Sequence, residues 1–242
     1  MAESPSGLVD VAETIRRRLC LVLDIDDLVL ARRTADELAP WFSTVKIGLE
    51  LFTAAGPEAV AVFVDRGFDV FCDLKLHDIP HTVGAAARVI GASGARWATV
   101  HTSGGSTMLQ AAVEGMAEGA DRVGAEPPGI LGVTVLTSET VAGRHVLEER
   151  CALAADSGCE GIVCAAPDLH VTEAWADRLV RVVPGIRMPG GDTHDQARVA
   201  APSAAVKAGA DLLVVGRAVT AAPNPPAAAA ELTADLAGDF DA

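Results

Sequence analysis

The chain has 242 residues, half of them hydrophobic and 21% charged, which is enough to bury a large core and excludes a disordered or disulfide-stapled scaffold. Nineteen Lys and Arg against 33 Asp and Glu give a net charge of −14, a poor match for nucleic acid or an anionic membrane. Any anionic ligand must therefore be held by a few local cations working against the mean field.

Short β-rich runs recur along the chain, each followed by an Ala-rich stretch of helical period. They begin near Leu19 (LCLVLD), Thr44 (TVKIG), Val70 (VFCDLK), Trp97 (WATVH), Ile130 (ILGVTVL), Gly161 (GIVCAA), Val180 (VRVVPGI) and Leu212 (LLVVG). Continuous apolar runs, without polar alternation, suit strands covered on both faces. Helices are expected around Arg32–Trp41, Thr82–Gly91, Ser106–Glu118 and Ala201–Ala208, with Gly56, Gly67, Gly94, Gly158 and Gly209 as stops. The Pro/Ala tract Pro223–Ala230 leads into a last helix.

Eight β/α units in one chain of this length predict an α/β fold, a single-domain (β/α)₈ TIM barrel. Residues 1–18 are read as an N-terminal extension with a helix, 19–220 as the barrel core and 221–242 as a C-terminal helix. A doubly wound open sheet competes, but the first strand lacks the G-x-G-x-x-G turn of its dinucleotide-binding form.

The five cysteines form no C-x-x-C pair and have no His partner at zinc spacing, so they read as free thiols, three of them within apolar runs. No cationic start with an apolar core opens the chain, and no apolar run approaches 18 residues. The reading is a soluble, reduced, cytoplasmic protein.

Polar residues at the C-terminal ends of barrel strands face the active site. In order these are Asp24, Lys46, Asp73 with Lys75, His101, Thr137, then Gly185–Arg187 and Gly216–Arg217. Lys46 and Asp73 sit inside apolar runs, where a lone charge is costly to bury. Asp73 and Lys75 are two apart and share a face on a regular strand. Asp78, just past the strand end, reaches the same space from this chain or a neighbour. Two cations and two anions then offset each other's desolvation.

Flanking carboxylates keep Lys75 an ammonium, which disfavours a Schiff base, and a resident ammonium competes with Mg²⁺. What remains is a lysine that donates a proton and stabilises a developing anion. The loops after strands seven and eight, Val183-Pro-Gly-Ile-Arg187 and Val215-Gly-Arg217, suit a phosphate, and the Gly-rich segment before Gln196 reads as a lid. His101 is an oriented polar wall; Trp41, Trp97 and Trp175 are packing residues.

FCDLKLHDIPHT resembles the D-x-K-x-x-D-I-P-x-T signature of the orotidine 5′-phosphate decarboxylase family. LVLD, KIG, VHTSGG, VTVLTS, PGIR, GGDTHDQ and VVGRAVT follow in that family's order, from Leu19 to Thr220. The resemblance implies a homodimer needing neither metal nor organic cofactor, which converts orotidine 5′-phosphate to UMP and CO₂. Lys75 would protonate C6 of the pyrimidine within a network of Lys46, Asp73, Lys75 and Asp78. Asp78 and Thr82 would reach the partner's site, with Ile79 and Pro184 also against substrate. Asp24 and Lys46 would meet the ribose, Thr137 the pyrimidine, and Arg187, Gln196, Gly216 and Arg217 the phosphate region. Ala218 stands where family members often carry proline.

Two other readings stand beside this one. A related barrel acting on a sugar phosphate would bind Mg²⁺ and carry an acidic residue in place of Lys46. A non-catalytic nucleotide-phosphate sensor would show a damaged charge network.

Overall fold

The computed structural model describes residues 12–136, 143–188 and 199–238. Its centre is a closed barrel of eight parallel strands in sequential order, with the first strand hydrogen-bonded to the eighth. The strands are β1 (Leu19–Val22), β2 (Thr44–Ile47), β3 (Asp69–Leu76), β4 (Trp97–His101), β5 (Gly129–Val133), β6 (Gly161–Val163), β7 (Val180–Val183) and β8 (Leu212–Val215). All eight expected runs are strands. The helices of the outer ring follow in turn: α1 (Leu28–Leu38), α2 (Leu49–Ala55), α3 (Glu58–Val64), α4 (Pro80–Ala92), α5 (Ser106–Val123), α6 (Arg144–Asp156), α7 (Leu169–Thr172), α8 (Pro202–Lys207), α9 (Arg217–Thr220) and α10 (Pro225–Ala237).

The apolar runs divide between two cores by strict alternation. Cys20, Phe71, Leu131, Val182, Leu212 and Val214 fill the barrel interior. Their neighbours Leu19, Leu21, Val70, Cys72, Ile130, Ile162, Leu213 and Val215 join the larger core with the helices. β2 turns Thr44 and Lys46 inward, while most of the strands bury apolar area on both faces, at roughly 25 cal/mol per Å². This is why the runs carry no polar alternation.

Helix limits follow local chemistry. α1 begins four residues before the expected start because the Asp27 carboxylate accepts from Val29 N–H and Leu30 N–H, capping the first turn. α5 runs past the expected Glu118 to Val123, where Gly124 takes a left-handed conformation at φ 66° and closes the helix. α4 and α5 pack backbone to backbone: a Cβ on Gly115 would overlap the Gly84 carbonyl, and one on Gly119 the Arg88 carbonyl.

At the N-terminal end of the strands, Arg96 reaches across to Glu160, donating from Nη1 to Oε2 at 2.7 Å. Trp97 Nε1–H also donates to Glu160 Oε1 at 3.1 Å, and the guanidinium lies 4.7 Å from the Trp97 ring centroid. This cluster lies at the end of the barrel opposite the cavity.

Candidate active site

The strand C-termini surround a cavity of about 520 Å³, the size of a small-molecule site. Asp24, Lys46, Asp73 and Lys75 occupy one side. Pro184, Gly185, Arg187, Gly216 and Arg217 occupy the side of the last two strands. Between them lies an apolar wall of Val22, Phe71, Val133, Val135, Leu136, Val163, Cys164 and Val214. Four of them, Val22, Val133, Val163 and Val214, are the last interior-facing positions of their strands, an alternation legible in the sequence but not singled out there.

The four charges form an alternating row. Lys46 Nζ lies 3.3 Å from Asp24 Oδ1 and 3.3 Å from Asp73 Oδ2. Lys75 Nζ donates to both Asp73 oxygens, each at 2.8 Å. Lys46 and Asp73 are nearly enclosed, each 9% exposed, whereas Asp24 opens to solvent. Burial favours a neutral Asp73, yet Lys46 and Lys75, with hydrogen bonds from Lys75 and Thr99, outweigh it and hold the carboxyl below its ordinary pKa. Burial likewise works against charge on Lys46. Asp73 and Asp24 reverse the balance and hold its ammonium above the ordinary lysine value.

Asp73 and Lys75 do not meet through plain strand alternation. β3 pairs with β4 as Cys72↔Ala98 and next as Leu76↔Val100, so Asp73, Leu74 and Lys75 together oppose Thr99 alone. Lys75 sits at φ 50°, the one non-glycine residue with positive φ among those described. The bulge re-aims the lysine onto both carboxylate oxygens, which flat pleating does not do. Thr99, fully buried, is a site residue that sequence reading missed; its only signal is a hydroxyl within the apolar run WATVH.

Asp78, Ile79 and Thr82 lie on the surface and do not line this cavity. The Asp78 carboxylate accepts from the Ile79 N–H at 2.6 Å. Within one chain, Asp24 takes the fourth place in the row of charges. Thr137, Gln196 and the Gly-rich segment 189–195 fall outside the described residues. His101 is partly buried with its ring 5.4 Å from that of His77. Arg187 is 7% exposed and donates to the Ile186 carbonyl at 2.8 Å. Among the described residues, no three His, Cys, Asp or Glu side chains converge as a metal site would require.

This geometry has close counterparts. Residues 17–232 match the orotidine 5′-phosphate decarboxylase / HUMPS family. The chain is 41% identical over 232 residues to an orotidine 5′-phosphate decarboxylase of Moorella thermoacetica, covering 90% of this chain and 92% of the relative. It is 43% identical over 230 residues to an orotidine 5′-phosphate decarboxylase of Anaeromyxobacter sp., covering 90% and 98%. Among solved structures, orotidine 5′-phosphate decarboxylase from Lactobacillus acidophilus superposes with a TM-score of 0.78 at 30% identity, over 91% of this chain and 99% of the other. An uncharacterized conserved protein from Geobacillus kaustophilus gives 0.76, also at 30% identity, over 90% and 99%. With the family match spanning nearly the whole barrel and relatives above 40% identity, the chain belongs to the orotidine 5′-phosphate decarboxylase family.

Proposed function

We infer that this chain decarboxylates orotidine 5′-phosphate to UMP and CO₂, with Lys75 as the proton donor. One observation carries the residue assignment: the Lys75 ammonium, 2.8 Å from both Asp73 oxygens, borders a cavity whose far side holds Arg187 and Arg217. A pyrimidine lying against the apolar wall brings C6 to the lysine while a ribose phosphate extends toward the arginines.

In the reaction the C6–carboxyl bond breaks and its electron pair stays on C6 as CO₂ leaves. That carbanion finds little delocalisation in the ring, so a fixed positive charge beside it lowers the barrier. Lys75 then transfers one proton to C6, giving UMP, and recovers a proton from solvent. Asp73 holds the ammonium in place by hydrogen bonds until that moment and, beside the departing carboxylate, opposes the ground state. Asp24 and Lys46 hold the ribose hydroxyls, Pro184 packs on the nucleotide, Gly216 offers its N–H to the phosphate, and Ile79 packs on the nucleotide of the partner's site. Thr137 and Gln196 complete the pyrimidine and phosphate contacts.

The working unit is a homodimer in the cytoplasm. Asp78 and Thr82 lie exposed beyond the end of β3, where a second copy would receive them, and Ile79 between them is 64% exposed. The cysteines are free and buried, in keeping with a reducing compartment, and no helix among the described residues is long and apolar enough to cross a membrane. The net charge of −14 argues against nucleic acid as a partner.

Against the Mg²⁺-dependent sugar-phosphate chemistry stands Lys46, whose ammonium fills the position between Asp24 and Asp73 that a cation would need. The test is the fall in orotate absorbance when purified protein meets orotidine 5′-phosphate, with and without EDTA. Turnover unaffected by EDTA and abolished in Lys75→Ala is the expected result. No turnover by the wild type, or turnover by Lys75→Ala near the wild-type rate, overturns the reading.

A further inference from the structure

The bulge in β3 raises a question of support. A left-handed lysine backbone is costly, and such a conformation persists only where its surroundings over-determine it. Thr99 is the single β4 residue opposite the bulge, and it is fully buried. Its hydroxyl accepts from the Lys75 N–H at 2.8 Å, a side-chain acceptor where a regular ladder uses a main-chain carbonyl. The same hydroxyl donates to Asp73 Oδ1 at 3.0 Å. One oxygen therefore ties together the main chain of the lysine and the carboxylate that pairs with its ammonium. Thr99 does not line the cavity, so it acts through these two residues and touches no substrate.

We propose that Thr99 is a positioning residue for the decarboxylation: its hydroxyl fixes the left-handed turn at Lys75 and the orientation of Asp73, and so the place of the ammonium. Branching at Cβ restricts its χ1, which makes threonine a stiff clamp. The inference rests on Lys75 being the proton donor.

The comparison is Thr99→Val, which keeps the shape and removes the hydroxyl, against Thr99→Ser, which keeps the hydroxyl. Thr99→Val is expected to lower kcat at least about tenfold while the Kd for UMP stays within about threefold, the signature of an interaction that matters in the transition state. Thr99→Ser is expected to retain kcat within about threefold of wild type. A threonine that merely fills the core would change Tm and leave that split absent. Should Thr99→Val not bind UMP, Thr99→Cys preserves the volume with only a weak sulfur partner and carries the same comparison. Wild-type kcat in the hydroxyl-free variant, or equal losses in it and in Thr99→Ser, overturns the proposal. Lys75→Ala is measured alongside: turnover persisting there overturns the proton-donor reading and this inference together. An inactive Lys75→Ala with a fully active Thr99→Val overturns the inference alone.

Discussion

Lys46 and Asp73, on adjacent strands, place ammonium and carboxylate 3.3 Å apart with both groups nearly sealed from water. Their titrations are coupled in opposite senses. Asp73 has its folded pKa depressed below the ordinary 3.8, so its contribution to stability is present above that value and disappears as pH falls through the lower folded one. Lys46 is raised above the ordinary 10.5, so its contribution is present below that value and disappears as pH climbs through the higher folded one. Denaturant titrations of wild type and Asp73→Asn should differ by a constant amount between about pH 5 and 9, with the gap closing below about pH 4. A gap that widens toward acid would contradict the depressed carboxylate.

The phosphate side of the cavity makes a separate prediction. Arg217→Ala removes a charged donor from the edge occupied by the last two strands, which should weaken UMP binding about tenfold to a hundredfold. Uridine, lacking the phosphate, should bind the variant and the wild type alike. Calorimetric titration of both ligands checks this; an equal loss for uridine would assign the arginine to another part of the nucleotide.

Exposure of Asp78 outside its own cavity predicts complementation between inactive variants. Lys75→Ala and Asp78→Asn should each be nearly inactive. Mixed as unfolded chains and refolded together, they form heterodimers in which one of the two sites has both native residues. Random pairing restores about a quarter of the wild-type sites. If activity stays at the level of the separate variants, Asp78 does not serve a partner's site.

Gly48 allows a prediction about the site that spares the fold. Its backbone, φ −89° and ψ −175°, suits any residue. A Cβ there, however, would stand 2.7 Å from Asp24 Oδ1 and 2.9 Å from Lys46 Nζ. Those are the ends of movable side chains, so Gly48→Ala should fold with a Tm within a few degrees of wild type. The Asp24–Lys46 contact should part, raising KM about tenfold with a smaller loss in kcat. Unchanged KM would show that Asp24 does not hold substrate.

The eight strands were legible because burial on both faces leaves an uninterrupted apolar run, and Lys46 and Asp73 stood out as charges inside such runs. What alternation cannot reveal is a shift of register. The bulge at Asp73–Lys75 is created by pairing with β4, a long-range fact, so the sequence suggested a flat strand with both side chains on one face. Thr99 was missed for the same reason: its role exists only once β4 lies beside that bulge. Asp78 and Thr82 carry a motif, but nothing local in the sequence signals that they lie outside this chain's own cavity.

The cysteines give the barrel an unplanned gauge of its own integrity. Burial pushes the thiols of Cys72 and Cys159 up to about 12 and that of Cys151 to about 11, with Cys20 higher still, so the native molecule offers these four almost no thiolate. Alkylating reagents and oxidants gain access to them only as strands part from one another or from their helices. Their labelling rates thus time the transient breathing of β1, β3, α6 and the turn before β6, without any reporter being engineered into the protein.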